Sequence, residues 1–227
     1  MAPHSIPNDI YQHSIPRALS LGSTELSPPV GRLTSHGTHG LGTFEDGSLM
    51  VLVDSIAWRI SRPHELSTSS DGEPRNGGMK VQRADQYAAL PFTMVTVFYP
   101  AQSVEGHFSL QGVRDVFQSH LPNSFMPFEV TGQFSHVDVR VEEQEYRLAR
   151  VKGTIFGFHA PKWAGSVSVD GLYAMFLSEP DERGMRQGGE LTDFWAGDDA
   201  EGVVFEWATC GRFHLGLPRV CCAFCFG

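Results

Sequence analysis

Short apolar runs dominate the chain. Apolar and β-branched residues recur in runs of about four to eight positions bounded by Gly, Pro or Asp, whereas helical spacing is scarce. The runs predict strands at 49–53, 56–60, 92–98, 127–130, 134–141, 145–151, 154–159, 166–169, 172–177 and 203–208. We therefore expect an α+β protein that is mostly β.

Two short helices interrupt this pattern. Val113, Phe117 and Leu121 follow helical spacing after Ser109, a favourable N-cap, and Pro122 ends the pattern. A shorter helix is predicted at 29–34, where proline suits the first turn.

The segment 61–78 is polar and rich in Ser, Gly and Pro, which predicts a mobile surface loop. No internal repeat or long linker is visible. The sequence predicts a single domain over residues 1–227.

Charge narrows the choice of partners. The chain has 26 acidic and 17 basic residues, a formal charge of −9, and no Lys/Arg-rich run, so we expect no nucleic-acid partner. Its apolar runs fall far short of the ~20 residues that cross a bilayer, so no membrane partner is expected. The start of the sequence lacks a signal-peptide pattern, and three of the four cysteines fall in the last seven residues. We expect a soluble cytoplasmic protein with free thiols.

Two glycine-punctuated segments carry a family resemblance. They are HGTHGLGTFEDGSLMVLVD at 36–54 and GTIFGFHAPKWAGSVSVDGLYAMFLSE at 153–179, the latter followed by GGELTDF at 188–194. They resemble HGDFGLGTF…LDGE, GTxxGFxxPxYxxGxxVxGYHLHF and GGHxxDF of the α-acetolactate decarboxylase family, whose enzymes form acetoin. PFEVTGQFSHVDVRV at 127–141 also resembles the family's AIRIDGTFxxVKTR. The resemblance implies a closed β-barrel with flanking sheet and a few helices, assembled as a homodimer.

The departures from the family pattern fall on the chemistry. The resemblance implies a catalytic zinc held by the two histidines of HLH and the histidine of GGH, but these positions are Tyr173, Met175 and Glu190 here. Tyr173 and Met175 should still share one strand face. A thioether and a neutral phenol are poor zinc ligands, so we predict no metal and no other cofactor. The glutamate of DGE is replaced by Ser48.

Other polar residues remain as candidates for catalysis. Arg140 retains the arginine of the KTR motif, and His136, Asp138 and Arg140 recur at period two, which predicts that all three share the inward face. A guanidinium suits carboxylate or enolate oxygens. Glu190, Tyr173, His136 and Asp138 are candidate general acids or bases.

Met175, Ser48 and His159 are candidate substrate-binding residues, with His159 placed at a barrel end. The structural alternative is that Tyr173 and Met175 refill the former metal site with core packing. In that alternative, Arg140 and Asp138 form a structural ion pair.

The remaining histidines and cysteines carry weaker signals. His36 and His39 flank Gly37 and are more typical of turn capping than of metal binding. The CxxC of Cys222 and Cys225 has no second ligand pair and indicates an apolar tail.

The leading hypothesis is a metal-independent biosynthetic enzyme on this scaffold. It would catalyse cyclisation, which includes pericyclic ring closure, isomerisation or C–C lyase chemistry on a carbonyl-rich secondary-metabolite intermediate. One alternative is a genuine acetolactate decarboxylase with an improvised metal site built from His36, His39 or His136. The other is a non-catalytic small-molecule-binding homologue.

Overall fold

The computed structural model describes residues 7–22, 27–62, 79–120, 123–197 and 202–217. The strands within them are β1 (Ile10–His13), β2 (His39–Thr43), β3 (Leu49–Val53), β4 (Ile56–Ser61), β5 (Lys80–Arg83), β6 (Phe92–Thr96), β7 (Gln102–Gly106), β8 (Met126–Val141), β9 (Gln144–Ala160), β10 (Gly171–Ser178), β11 (Gly188–Trp195), β12 (Val203–Trp207) and β13 (Phe213–Gly216). The α-helices are α1 (Pro16–Ser20) and α2 (Leu110–His120), and 3-10 helices span Val30–Ser35 and Lys162–Ser166.

The described strands form two sheets. One has seven strands in the order β13-β1-β6-β2-β3-β4-β5, and the other has six in the order β11-β10-β9-β8-β12-β7, with an additional pairing between β11 and β8. This arrangement confirms the mostly β prediction. The closed barrel stays a prediction.

Three apolar clusters form the core of the described residues. The cluster between the two sheets joins residues of both sheets, among them Leu41, Val51 and Phe156. On the other side of the six-stranded sheet, α2 places the Phe117 ring 5.3 Å from that of Phe128. The third cluster includes Met50 and packs the 3-10 helix Val30–Ser35 on the seven-stranded sheet.

Strands β8 and β9 are longer than the sequence predicted. Each joins two predicted strands, and the predicted breaks contain Gly132 and Gly153, which lie directly opposite each other. A Cβ on Gly153 would lie 2.4 Å from the carbonyl oxygen of Leu177. This glycine therefore allows a close approach within a continuous strand.

Several other predictions have clear outcomes. Helix α2 is confirmed, with Ser109 Oγ accepting a hydrogen bond from the Gly112 N–H at 3.1 Å. The strand predicted at 166–169 is wrong, because the 3-10 helix Lys162–Ser166 ends there, and the helix predicted at 29–34 is a 3-10 helix. The predicted loop 61–78 begins with the last residue of β4, and residues 63–78 lie outside the described residues. No helix in the described part of the chain has the length and hydropathy needed to cross a bilayer.

Candidate active site

Four strands of the six-stranded sheet form a row of residues that contains three of the candidates. In the strand register Phe156 lies opposite Met175, Met175 opposite Glu190, and Glu190 opposite Arg140. Residues directly opposite one another on neighbouring strands project from the same face of a sheet. Phe156 and Met175 belong to the core between the two sheets, so this row faces the seven-stranded sheet.

An ion pair closes the row at its solvent end. Arg140 Nη2 lies 3.3 Å from Glu190 Oε1, and Arg140 Nε donates to Glu190 Oε2 at 3.4 Å. The side chains are 43% and 29% exposed, whereas Met175 is fully buried. Solvent and small solutes therefore reach the charged end of the row, and the apolar end is dry.

Tyr173 supplies a neutral phenol beside this pair. It lies two residues before Met175 on the same strand face, and its hydroxyl makes a side-chain hydrogen bond with Thr43 of β2. Burial, followed by the charge of Glu190, raises its pKa far above the usual range, although Thr43 and Arg140 act in the opposite direction. The phenol is therefore a hydrogen-bond donor at physiological pH.

The three residues at the family's ligand positions do not fit a zinc ion. Met175 offers a thioether inside an apolar core, Tyr173 keeps its proton, and the Glu190 carboxylate is already neutralised by Arg140. Zinc in proteins needs thiolate, imidazole or carboxylate donors. The only carboxylate among the three residues, that of Glu190, is already paired with Arg140, so none of them offers a free zinc ligand.

A cleft lies further along the same face of β10. It has a volume of about 210 Å³ and includes Leu177, which follows Met175 by two residues, together with Val53, Trp58 and Arg186. The guanidinium of Arg186 lies 4.7 Å from the Trp58 ring centroid.

His136, Asp138 and Arg140 share a face, as predicted, and it is the face of the row, turned toward the seven-stranded sheet. Their side chains are nevertheless partly exposed, whereas the intervening Val137 and Val139 are fully buried on the opposite face. Burial of valines avoids the desolvation that ionisable groups would suffer.

The ion pair between Arg140 and Asp138 that the structural alternative implies is absent among the described contacts. Arg140 instead binds Glu190. Asp138 accepts two hydrogen bonds from Arg147, at 2.7 and 2.6 Å. These hydrogen bonds are the largest cause of the lowered pKa of Asp138.

Two of the predicted substrate-binding residues lie apart from this row. Ser48 is buried and donates to Asp46 Oδ1 at 2.6 Å within the β2–β3 turn. His159 stacks on Phe117 of α2 with 5.0 Å between ring centroids, on the opposite face of the sheet from Tyr173 and Met175. Met175 alone of the three predicted substrate-binding residues lies in the row.

Two of the histidines suggested for an improvised metal site, His36 and His39, make other ring contacts. His36 stacks on Tyr11 with 4.1 Å between ring centroids. His39 is buried, with Nε2 3.3 Å from Glu129 Oε2 and 3.6 Å from Asp54 Oδ1.

Sequence reasoning missed the partners Thr43, Glu129 and Arg147. The family motifs quoted above have phenylalanine and arginine where this chain has His39 and Glu129, so the joint change at these two positions was a usable signal. Thr43 and Arg147 gave none, because their contacts come from sheet packing and from strand register.

Comparisons with known proteins agree with the resemblance. The family model described as alpha-acetolactate decarboxylase matches residues 10–224. The chain is 29% identical to the alpha-acetolactate decarboxylase of Raoultella terrigena, over 84% of this chain and 74% of that protein. It is 26% identical to that of Klebsiella aerogenes, over 92% of this chain and 80% of that protein.

Solved structures share the fold. The acetolactate decarboxylase from Bacillus subtilis subspecies spizizenii gives a TM-score of 0.76 at 22% identity and covers 94% of this chain and 91% of its own. A Staphylococcus aureus protein of unknown function similar to alpha-acetolactate decarboxylase also gives 0.76, at 21% identity, over 93% of this chain and 90% of its own. With the family model matching most of its length, the chain belongs to the alpha-acetolactate decarboxylase family.

Proposed function

We propose that this protein is a metal-independent C–C lyase that decarboxylates a small carbonyl-rich acid at Arg140, Glu190 and Tyr173. The observation that carries the proposal is the row itself. The buried thioether of Met175 lies opposite the Glu190 carboxylate, which is paired with the Arg140 guanidinium. The neutral phenol of Tyr173 lies on the same face. Arginine and phenol remain as groups that can stabilise an oxyanion without a metal.

Each side chain has a distinct role. Arg140 presents N–H groups to the oxygen that becomes an enolate, and Glu190 orients the guanidinium through its two contacts. Tyr173 donates its O–H to the same oxygen, and Thr43 holds the phenol in place. Two donors aimed at developing charge in a partly dry site stabilise the transition state more than the substrate.

The apolar side of the row favours loss of carbon dioxide. Met175, directly opposite Glu190 in the strand register, is fully buried, so the surroundings of the ion pair are apolar on this side. A carboxylate bound at the edge of these apolar surroundings loses hydration, whereas the neutral carbon dioxide that it becomes does not need hydration.

The reaction balances without another reactant. The bond between the carboxylate carbon and the carbon next to the ketone breaks, and its electron pair forms the enolate. Carbon dioxide leaves, and the carbon then takes a proton from water, which reaches the exposed Arg140 end. The product is a ketone.

Cyclisation and isomerisation of a carbonyl-rich intermediate would use the same two donors. The names of the curated relatives, which are alpha-acetolactate decarboxylases, favour the C–C lyase among these reactions and make acetolactate the first substrate to test. We also propose a homodimer in solution, which light scattering after size-exclusion chromatography would check.

The test is turnover in the presence of a chelator. Protein dialysed against chelator is mixed with acetolactate and with a panel of β-keto acids, and carbon dioxide and ketone are measured. We expect turnover of at least one acid that chelator does not reduce, and that falls about 100-fold in Arg140→Ala and in Tyr173→Phe. Arg83→Ala removes an equal charge from β5 and should retain activity.

Two results would overturn the proposal. Activity that chelator abolishes and zinc restores would identify a metal-dependent decarboxylase instead. Tight binding of these acids with no turnover would favour the non-catalytic binding homologue.

A further inference from the structure

A β-bulge brings a third ligand to a second group of polar residues. Glu190 lies opposite Arg140, and the register shift between Leu191 and Asp193 places Asp193 directly opposite Asp138. Without the shift, residues three apart on a strand would project from opposite faces. The bulge instead puts Asp193 on the face that carries Asp138 and, two residues away, His136.

These three side chains form a ligand set. One ligand atom from each of His136, Asp138 and Asp193 lies within 4.8 Å of the other two. Ligand atoms that share one ion at about 2.0 to 2.2 Å lie at most about 4.4 Å apart, so small side-chain rotations would bring these three atoms to one ion. An imidazole with two carboxylates is a donor set for Mn²⁺ or Zn²⁺.

The charge arrangement also favours a bound cation. Carboxylates directly opposite each other on paired strands repel. Arg147, opposite Asp138 on the next strand, offsets one of the two charges by donating two hydrogen bonds to Asp138, and its side chain is 64% exposed. Exposed ion pairs contribute only about 0 to 1 kcal/mol, so Arg147 can leave Asp138 at little cost.

We propose that His136, Asp138 and Asp193 form a divalent metal site, with Arg147 as an internal competitor that occupies Asp138 when no ion is bound. The site shares no residue with Arg140, Glu190 and Tyr173, so its failure would leave the proposed lyase function unaffected. The ion would tie β8 to β11 at the bulge.

The test uses Mn²⁺, because thiolates bind it poorly and the cysteines therefore do not interfere. Loss of the electron paramagnetic resonance signal of free Mn²⁺ measures binding to the full chain. We expect one equivalent to bind, and His136→Ala and Asp193→Asn each to weaken binding about tenfold or more. Arg147→Gln should tighten binding about threefold, because the competitor is gone.

Charge-matched controls separate this site from general surface attraction. Asp115→Asn in α2 and Arg183→Gln in the β10–β11 turn make the same charge changes elsewhere and should each leave the affinity unchanged. Circular dichroism checks that every variant is folded.

Several results would contradict the site. These are no binding at millimolar Mn²⁺, binding that survives both ligand substitutions, or an Arg147→Gln effect equal to that of Arg183→Gln.

Discussion

Met175 and Glu190 lie directly opposite each other on β10 and β11, yet they differ completely in environment. The thioether is fully buried in the core between the sheets, and the carboxylate contacts Arg140 in the partly exposed ion pair. The family resemblance assigns both positions to zinc ligands. Here Met175 packs in the core, and Glu190 forms an ion pair.

The first prediction concerns a variant that restores three histidines at the family's zinc-ligand positions. We expect the triple substitution Tyr173→His, Met175→His and Glu190→His to bind one zinc more per chain than the parent, because the strand register already places the three positions together. Metal analysis after dialysis measures the difference. Met175→His alone should add none, and a folded triple variant without the extra zinc would show that the backbone has also diverged.

The second prediction separates stability from activity at the ion pair. Partly exposed pairs contribute about 0 to 1 kcal/mol, so Arg140→Gln and Glu190→Gln should change the free energy of unfolding by no more than this. Their kcat/KM on any acid that the protein decarboxylates should fall about 100-fold. Urea denaturation measures the free energy of unfolding, and turnover assays measure kcat/KM. Lys152→Gln, which breaks an exposed pair with Glu179, is the matched control and should affect neither strongly. Large destabilisation with unchanged turnover would assign the pair a structural role.

The sequence predicted which residues of β8 share a face, but not which of the two faces is fully buried there. Alternation correctly grouped His136, Asp138 and Arg140, yet the same alternation groups Val137 and Val139, and burial of the valines is the favourable choice. The V-D-V-R-V pattern contained that answer, because three ionisable residues cannot enter a core without partners.

Other features depend on contacts that no local pattern encodes. Strand β11 was missed because it opens with Gly188 and Gly189 and alternates polar residues. Its bulge is defined only by the register of β8, and the hydrogen bond between Thr43 and Tyr173 depends on how the two sheets pack.

The third prediction concerns the phenol of Tyr173. Its pKa is raised first by burial and then by Glu190, so in an ultraviolet titration it should ionise well above ordinary tyrosine. Glu190→Gln should lower the pKa of Tyr173, while Tyr11, whose pKa is also raised by burial, should not move. A raised folded-state pKa gives stability that is full below about pH 10 and is lost as the pH rises further. Tyr173→Phe should remove that part of the alkaline loss, and an identical alkaline profile in this variant would contradict the assignment.

The fourth prediction is acid sensitivity from His159. Its ring stacks on Phe117, its buried Nδ1 has no hydrogen-bond partner among the described atoms, and burial lowers its pKa. A lowered histidine pKa means stability that is full above about pH 6.5 and falls as the pH decreases, since the unfolded chain takes up the proton first. His159→Phe should flatten the decline in the urea midpoint between neutral and mildly acid pH. His107→Asn, at an exposed histidine, is the control, and equal slopes for the two variants would rule out this role.

The fifth prediction tests how closely β9 and β10 must approach to hold Tyr173. A Cβ on Gly157 would lie 2.5 Å from Ala174 Cβ and 2.7 Å from the Tyr173 carbonyl oxygen, and neither can move without shifting a central strand. We expect Gly157→Ala to lower the free energy of unfolding by about 1 to 3 kcal/mol. Gly165→Ala meets nothing closer than 3.9 Å and should be nearly neutral. Because the clash displaces the Tyr173 backbone, Gly157→Ala should also shift the titration of that phenol; destabilisation without the shift would mean that β10 absorbs the methyl group away from the site.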